Sequence, residues 1–281
     1  MTSLNTPLRV ACVGGGQLGR MMALEAPRLN IQMRFLDPGG IQCPASQVVP
    51  HNRIVEGGLK DAEKIREIAK DVDVVTVEIE HVGVETLLAL ENEGVNVQPS
   101  PGVLATIRDK LVQKEHFRNH NIALPPFAAT ASREAIRGAA ETLGLPIMLK
   151  ARKGGYDGRG NAVLKSSSDD DITTALKQLG CGDVADGELD LYAEGWIDFD
   201  CEVAVMVVKS SNGTDVATYP AVNAIQQDSI CRVVLAPARG VSSQLRSECE
   251  ELAKKAIQSL GKGASGVFGV CLLYTSPSPR D

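Results

Sequence analysis

The chain has 281 residues, enough to bury a sizeable core in more than one domain, and its 35 acidic against 29 basic side chains leave a net charge of −6. That balance supplies no overall field attractive to nucleic acid or an anionic membrane, so an anionic ligand has to be held by local cations. No apolar stretch approaches the roughly 20 residues that span a bilayer, and the polar start lacks the basic and apolar segments of a signal peptide, which leads to the expectation of a cytoplasmic protein without membrane or nucleic-acid partners. The seven cysteines, Cys12, Cys43, Cys181, Cys201, Cys231, Cys249 and Cys271, are odd in number and form no C-x-x-C pair. They read as reduced thiols rather than a disulfide framework or a zinc site.

In the first part of the chain, short β-branched runs alternate with longer amphipathic ones. Leu8–Val13 is strand-like, Gln17–Leu29 helix-like, Ile31–Leu36 strand-like, Asp61–Lys70 helix-like, Asp73–Val77 strand-like and Val84–Glu93 helix-like. The alternation predicts βαβ units and a parallel sheet, an α/β domain. Gly14-Gly15-Gly16-Gln17-Leu18-Gly19 joins the first strand to the first helix and fits G-x-G-x-x-G, with Asp37 ending the second strand. The pattern reads either as a dinucleotide site or as glycines used for a tight turn and close helix packing. Glu78-Ile79-Glu80-His81 follows the third predicted strand at the carboxyl edge of the sheet, where open α/β sheets bind ligands. Continued strand alternation puts Glu78 and Glu80 on one face, either to orient a polar substrate or to cap the next helix. His81 reads as structural.

Gln98-Pro99-Ser100-Pro101-Gly102 concentrates helix breakers and suggests a boundary. Beyond it come a helix over Arg108–His120, a break at Asn121–Pro126, a helix over Ser132–Leu143 and a strand over Ile147–Lys150. A strand at Ala162–Lys165 precedes a helix opened by Asp169-Asp170-Asp171, whose carboxylates suit a helix N-terminus. Strands at Leu189–Ala193, Val203–Lys209 and Ile230–Leu235 and a long helix over Ser242–Leu260 complete an α+β half. Between two of these strands, Lys150 to Gly160 opens into four glycines with Arg152, Lys153, Asp157 and Arg159. Such a loop approaches a polyphosphate closely and supplies opposing charge, or it is an ordinary hairpin with solvated charges. Lys110 and Lys150 are compact cations suited to phosphate. Tyr192 to Ile197, followed by Glu202, joins two strands through a connector that can present backbone groups to an adenine edge and a carboxylate to ribose hydroxyls. The Trp196 side chain reads as core packing.

Taken together, Gly14 to Met21, Glu78 to His81, Asp109-Lys110, Lys150 to Gly160, Glu194 to Ile197 and Ala236-Pro237-Ala238-Arg239 resemble N5-carboxyaminoimidazole ribonucleotide synthase, the ATP-grasp part of fungal-type phosphoribosylaminoimidazole carboxylase. The resemblance implies an ATP-grasp fold behind an N-terminal Rossmann-like preATP-grasp domain, residues 1–103, with the ATP-grasp domain over 104–270, its lid over about 120–190, and a non-family tail over 271–281. It implies ATP-dependent carboxylation of 5-aminoimidazole ribonucleotide with bicarbonate in purine biosynthesis, and is compatible with a homodimer. Matched motif by motif, Lys110 and Lys150 would hold ATP phosphates, Glu194 and Ile197 would meet adenine through backbone, and Glu202 would bind ribose. Gln17, Glu80, Tyr156, Asp157 and Arg159 would face the ribonucleotide. Three departures stand out. Cys271 replaces a glutamate that binds Mg²⁺ in the family and the second such glutamate has no counterpart; Asn223 stands where relatives often carry glutamate; Cys201 stands where they carry lysine. The expectation is a chain that binds nucleotide without the family's metal ligands and is catalytically incomplete. A dinucleotide-dependent oxidoreductase is the alternative, disfavoured because nothing supplies a hydride-transfer site.

Overall fold

The computed structural model of the chain describes residues 6–155, 160–227 and 230–275. They divide into two compact units: Met1–Ile107 with Ser210–Thr214 and Lys262–Gly266, and Arg108–Lys209 with Asp215–Gly261 and Val267–Asp281.

The first unit runs β1 (Leu8–Val13), α1 (Gln17–Glu25), β2 (Ile31–Asp37), β3 (Ile54–Glu56), α2 (Ala62–Ile68), β4 (Val74–Val77), α3 (Val84–Asn92) and α4 (Pro101–Arg108). Its four strands form a parallel sheet in the order β3-β2-β1-β4. Alternation along β1 and β2 feeds two cores. Ala11, Val13 and Leu36 pack with Ile65, Ile68, Leu87 and Leu90 of α2 and α3, while Cys12, Met33 and Phe35 pack with Ala23 of α1. Both faces are covered, as a parallel sheet requires.

Several predicted bounds change for local reasons. The first helix ends at Glu25, and Ala26–Leu29 continues as 3₁₀, because Pro27 lacks the N–H that would extend the ladder. The β3 strand is too short to register as an alternation. The stretch read as a break at Gln98–Gly102 contains the start of α4 at Pro101, where a proline costs nothing because the first helical N–H groups have no partners anyway. The helix predicted over Arg108–His120 begins instead at Lys110, because Arg108 ends α4 and Asp109, with extended backbone, caps the new helix with its side-chain oxygen.

The second unit continues with α5 (Lys110–Asn119), β5 (Phe127–Ala129), α6 (Arg133–Leu143), β6 (Ile147–Ala151), β7 (Asn161–Leu164), α7 (Asp169–Gln178), β8 (Leu191–Gly195), β9 (Cys201–Lys209), β10 (Val216–Thr218), β11 (Val222–Gln227), β12 (Ile230–Leu235), α8 (Ser243–Ser259) and β13 (Gly266–Tyr274). One antiparallel sheet has the order β5-β8-β6-β7 and packs Ile147, Leu149, Leu164 and Leu191 on Ile136 of α6 and Ile172 of α7. The other has the order β10-β9-β11-β12 with β13 paired to β9. Val203, Val205 and Val207 of β9 face Cys249, Ala253 and Ile257 of α8. Phe268, Val270, Leu272 and Tyr274 of β13 pack against the same core, so Cys271–Tyr274, read from sequence as the start of the tail, continue a strand with in-and-out alternation.

Candidate functional site

In the first unit the glycine turn is filled by carboxylates. The backbone N–H of Gly15 donates to Asp37 Oδ2 at 2.9 Å, and that of Gly16 donates to Glu78 Oε2 at 2.8 Å. Gly14 has φ +110°, and a Cβ there would stand 3.0 Å from the Glu78 Cβ; one on Gly16 would stand 2.5 Å from Glu78 Oε1. The glycines therefore permit close approach by Glu78 itself. A pyrophosphate on the same N–H groups would displace two carboxylates of its own sign, which argues against the dinucleotide reading. Strand geometry ends at Val77, and Glu78, Ile79 and Glu80 lie in a bend rather than on alternating strand faces as predicted, because Glu78 turns onto the start of α1. Gln17 is the exposed first residue of α1, and the half-buried Glu80 has Oε1 3.8 Å from His81 Nε2.

The second unit holds a cavity of about 670 Å³, inside the roughly 300–1,000 Å³ span of small-molecule sites. Its wall includes Lys114, Lys150, Glu194, Ile197, Glu202 and Glu248 with an apolar side from Phe117, Ile122, Leu124, Pro126, Leu245 and Leu252. Register explains how the charged group forms. On paired β6 and β8, Glu194 opposes Met148 and Tyr192 opposes Lys150, so Lys150 and Glu194 are diagonal neighbours on one face. Their charged ends meet at 3.0 Å, and Lys114 reaches the other Glu194 oxygen at 2.8 Å from α5. The Lys114 ammonium also lies 5.6 Å from the centroid of the Phe127 ring, on the strand beside Glu194.

Glu194 is only 8% exposed. Burial by itself would raise its carboxyl, but the ammonium groups of Lys150 and Lys114 outweigh burial and hold it below the ordinary carboxylate range. Burial, then the neighbouring Glu194 carboxylate, pushes the Tyr192 phenol far above its usual range, so it stays neutral. Lys110 begins α5, outside the lining of the cavity, with its backbone N–H donating to Arg152 O at 2.8 Å. Lys150, Glu194, Ile197 and Glu202 are thus brought to one cavity; Tyr156, Asp157 and Arg159 lie outside the described residues. Lys114 escaped the sequence reading, although its spacing from Lys110, one helical turn along the same face, was the available signal. Trp196, expected in the core, is 44% exposed. Its indole N–H donates to Asp198 Oδ1 at 2.9 Å, because the connector after β8 leaves the sheet and turns the ring outward.

A divalent cation such as Mg²⁺ needs hard oxygen ligands. Among the described residues no group of three or more His, Cys, Asp or Glu side chains is disposed to hold a metal ion. Cys271, on the cavity wall, has its thiol pushed up first by local burial and then by the Glu202 carboxylate, so it is a neutral, soft group. These residues do not fit the ion. The two other departures are neighbours: the Asn223 amide lies 3.8 Å from Cys201 Sγ, and its oxygen accepts the backbone N–H of Arg239 at 2.6 Å. Both side chains of this neighbouring pair are neutral, where the resemblance gives a glutamate and a lysine.

Residues 8–108 match the ribonucleotide synthetase preATP-grasp domain, and residues 115–278, more than half of the chain, match the ATP-grasp domain. The chain belongs to the ATP-grasp family. Among curated relatives in this family, phosphoribosylaminoimidazole carboxylase of Schizosaccharomyces pombe is 38% identical over 261 residues, which cover 93% of this chain and 44% of that protein. Carboxyaminoimidazole ribonucleotide synthase of Aspergillus clavatus, solved with ATP, superposes with a TM-score of 0.84 at 40% identity, covering 95% of this chain and 66% of that one. A second Aspergillus clavatus ATP-grasp structure, N5-carboxyaminoimidazole synthase with ADP and 5-aminoimidazole ribonucleotide, gives 0.84 at 39% identity with the same coverage. The chain thus spans less than half the length of the fission-yeast protein.

Proposed function

We propose that this chain is the nucleotide-binding part of an ATP-dependent carboxylase that joins bicarbonate to 5-aminoimidazole ribonucleotide in purine biosynthesis. The observation that carries the reading is the Lys114–Glu194–Lys150 cluster on the wall of a cavity with one apolar side, the arrangement a nucleotide needs: cations for phosphate and an apolar slot for a base. The Aspergillus clavatus relatives, solved with ATP and with ADP plus the ribonucleotide, support it. In this reading Lys110 and Lys150 neutralise phosphates, the backbone of Glu194 and Ile197 meets adenine, and Glu202 meets the ribose hydroxyls. Gln17, Glu80, Tyr156, Asp157 and Arg159 serve the ribonucleotide. A bicarbonate oxygen attacks the γ-phosphorus and ADP leaves; the carbon of the resulting carboxyphosphate is then captured by the substrate amine and phosphate leaves.

Lys150→Ala should weaken binding of a non-hydrolysable ATP analogue by about 1.5–3 kcal/mol, the scale of a hydrogen bond to a charged group. Unchanged affinity in titration calorimetry would remove the lysine from the site. We further infer that this chain, with Cys271 on the cavity wall and no metal cluster among the described residues, turns over below detection. ADP release that depends on both bicarbonate and the ribonucleotide would overturn that inference.

A further inference from the structure

One buried junction in the second unit ties together the two elements that carry the site's cations. Asp109 is 6% exposed and caps α5, its Oδ1 accepting the N–H groups of Leu111 and Val112 at 3.1 and 3.2 Å. A cap asks only for a short oxygen acceptor, and Ser132, Ser168 and Ser242 do the same for α6, α7 and α8. Asp109 does more. Arg152, one residue past the end of β6, grips it with Nε to Oδ1 at 3.1 Å and Nη2 to Oδ2 at 2.6 Å, a paired contact that an alcohol cannot make. The backbone joins at the same point, Lys110 N–H to Arg152 O at 2.8 Å and Arg152 N–H to Asp190 O at 3.0 Å. Lys153 lies 3.5 Å from both Asp109 and Asp190. Lys110 directly follows Asp109, and Lys114 is one turn further along α5. Lys150 lies on β6, two residues before Arg152.

We propose that Asp109 and Arg152 are positioning residues that hold the cations of α5 and β6 in register on the phosphates of a bound nucleotide, an inference that rests on the nucleotide reading above. Neither touches the nucleotide in this account. Their contribution is to fix, alongside the Glu194 bridge that joins Lys114 to Lys150, the spacing between the cations of α5 and β6, which a polyphosphate can use only if it is set in advance.

The experiment compares a non-hydrolysable ATP analogue with adenosine, by calorimetry, on the full chain and on Asp109→Ser, which keeps a cap but loses the arginine. The expected result is an analogue affinity lower by roughly tenfold with adenosine affinity unchanged, because only the phosphates read the register. Equal loss for both ligands would mean general loosening of the unit and would overturn the positioning role, as would unchanged analogue affinity. Arg152→Gln, which leaves the cap intact, carries the same test if the first variant does not fold. Failure of the unsubstituted chain to bind the analogue would overturn the nucleotide reading itself, and this inference with it.

Discussion

Glu194 shows how one residue sets the chemistry of the cavity. Two ammonium groups hold its carboxyl below the ordinary range in spite of burial, so its folded value lies under its unfolded one. The stability it contributes is therefore fully present above the unfolded value and is lost as pH falls through the folded one. Glu194→Gln should lower stability at neutral pH by about 1–3 kcal/mol, because two partly buried cations lose their countercharge. It should also flatten the acid limb of a stability-against-pH curve measured by urea unfolding. Asp109, held low by Arg152 and Lys153 against its own burial, acts in the same direction, so some acid sensitivity remains in the variant. An identical acid limb in the two proteins would show that Glu194 is not a source of it. Lys150 was visible in the sequence as the end of a strand, and Glu194 as part of the connector that follows one. Their contact was not, because it depends on which residues of β6 and β8 stand opposite each other.

At the scale of elements, the turn between β1 and α1 makes the sharpest claim. Its glycine pattern was legible, and so was the strand-to-helix junction around it. What occupies it was not: Glu78, the residue just after β4, takes the N–H of Gly16. Gly14→Ala should destabilise the protein by about 1–3 kcal/mol, the cost of holding a side chain in a left-handed conformation, here with a Cβ 3.0 Å from that of Glu78. The midpoint of chemical unfolding checks this, and an unchanged midpoint would mean that the turn relaxes freely. The sequence concealed α4, β11 and β13 as well as the shortest strands. The three-residue strands β3, β5 and β10 are held by their neighbours in the sheets rather than by any pattern of their own. The cap at Asp109 was hidden for another reason, since a polar residue at the start of an amphipathic run looks like part of its solvated face until its side chain is seen capping the helix.

For the molecule as a whole, a ligand that binds only the folded state stabilises it by mass action, by about 2.7 kcal/mol at a hundredfold excess over its dissociation constant. An ATP analogue should raise the thermal midpoint accordingly, and NADH should leave it unchanged because Asp37 and Glu78 already occupy the glycine turn. A midpoint raised by NADH and indifferent to the analogue would reverse the assignment of the two units. The sequence by itself determined many of the longer strands and helices, the α/β character of the first half and the α+β character of the second, and the identity of most charged groups at the cavity. These follow from periodicity, helix punctuation and motif, all of which act over a few residues. Only the tertiary structure decided that Lys114 joins Lys150 at Glu194, that Glu78 fills the glycine turn and that Asp109 meets Arg152. Each of these pairs residues far apart in the chain, and their meeting depends on sheet register and helix packing, which no local pattern encodes.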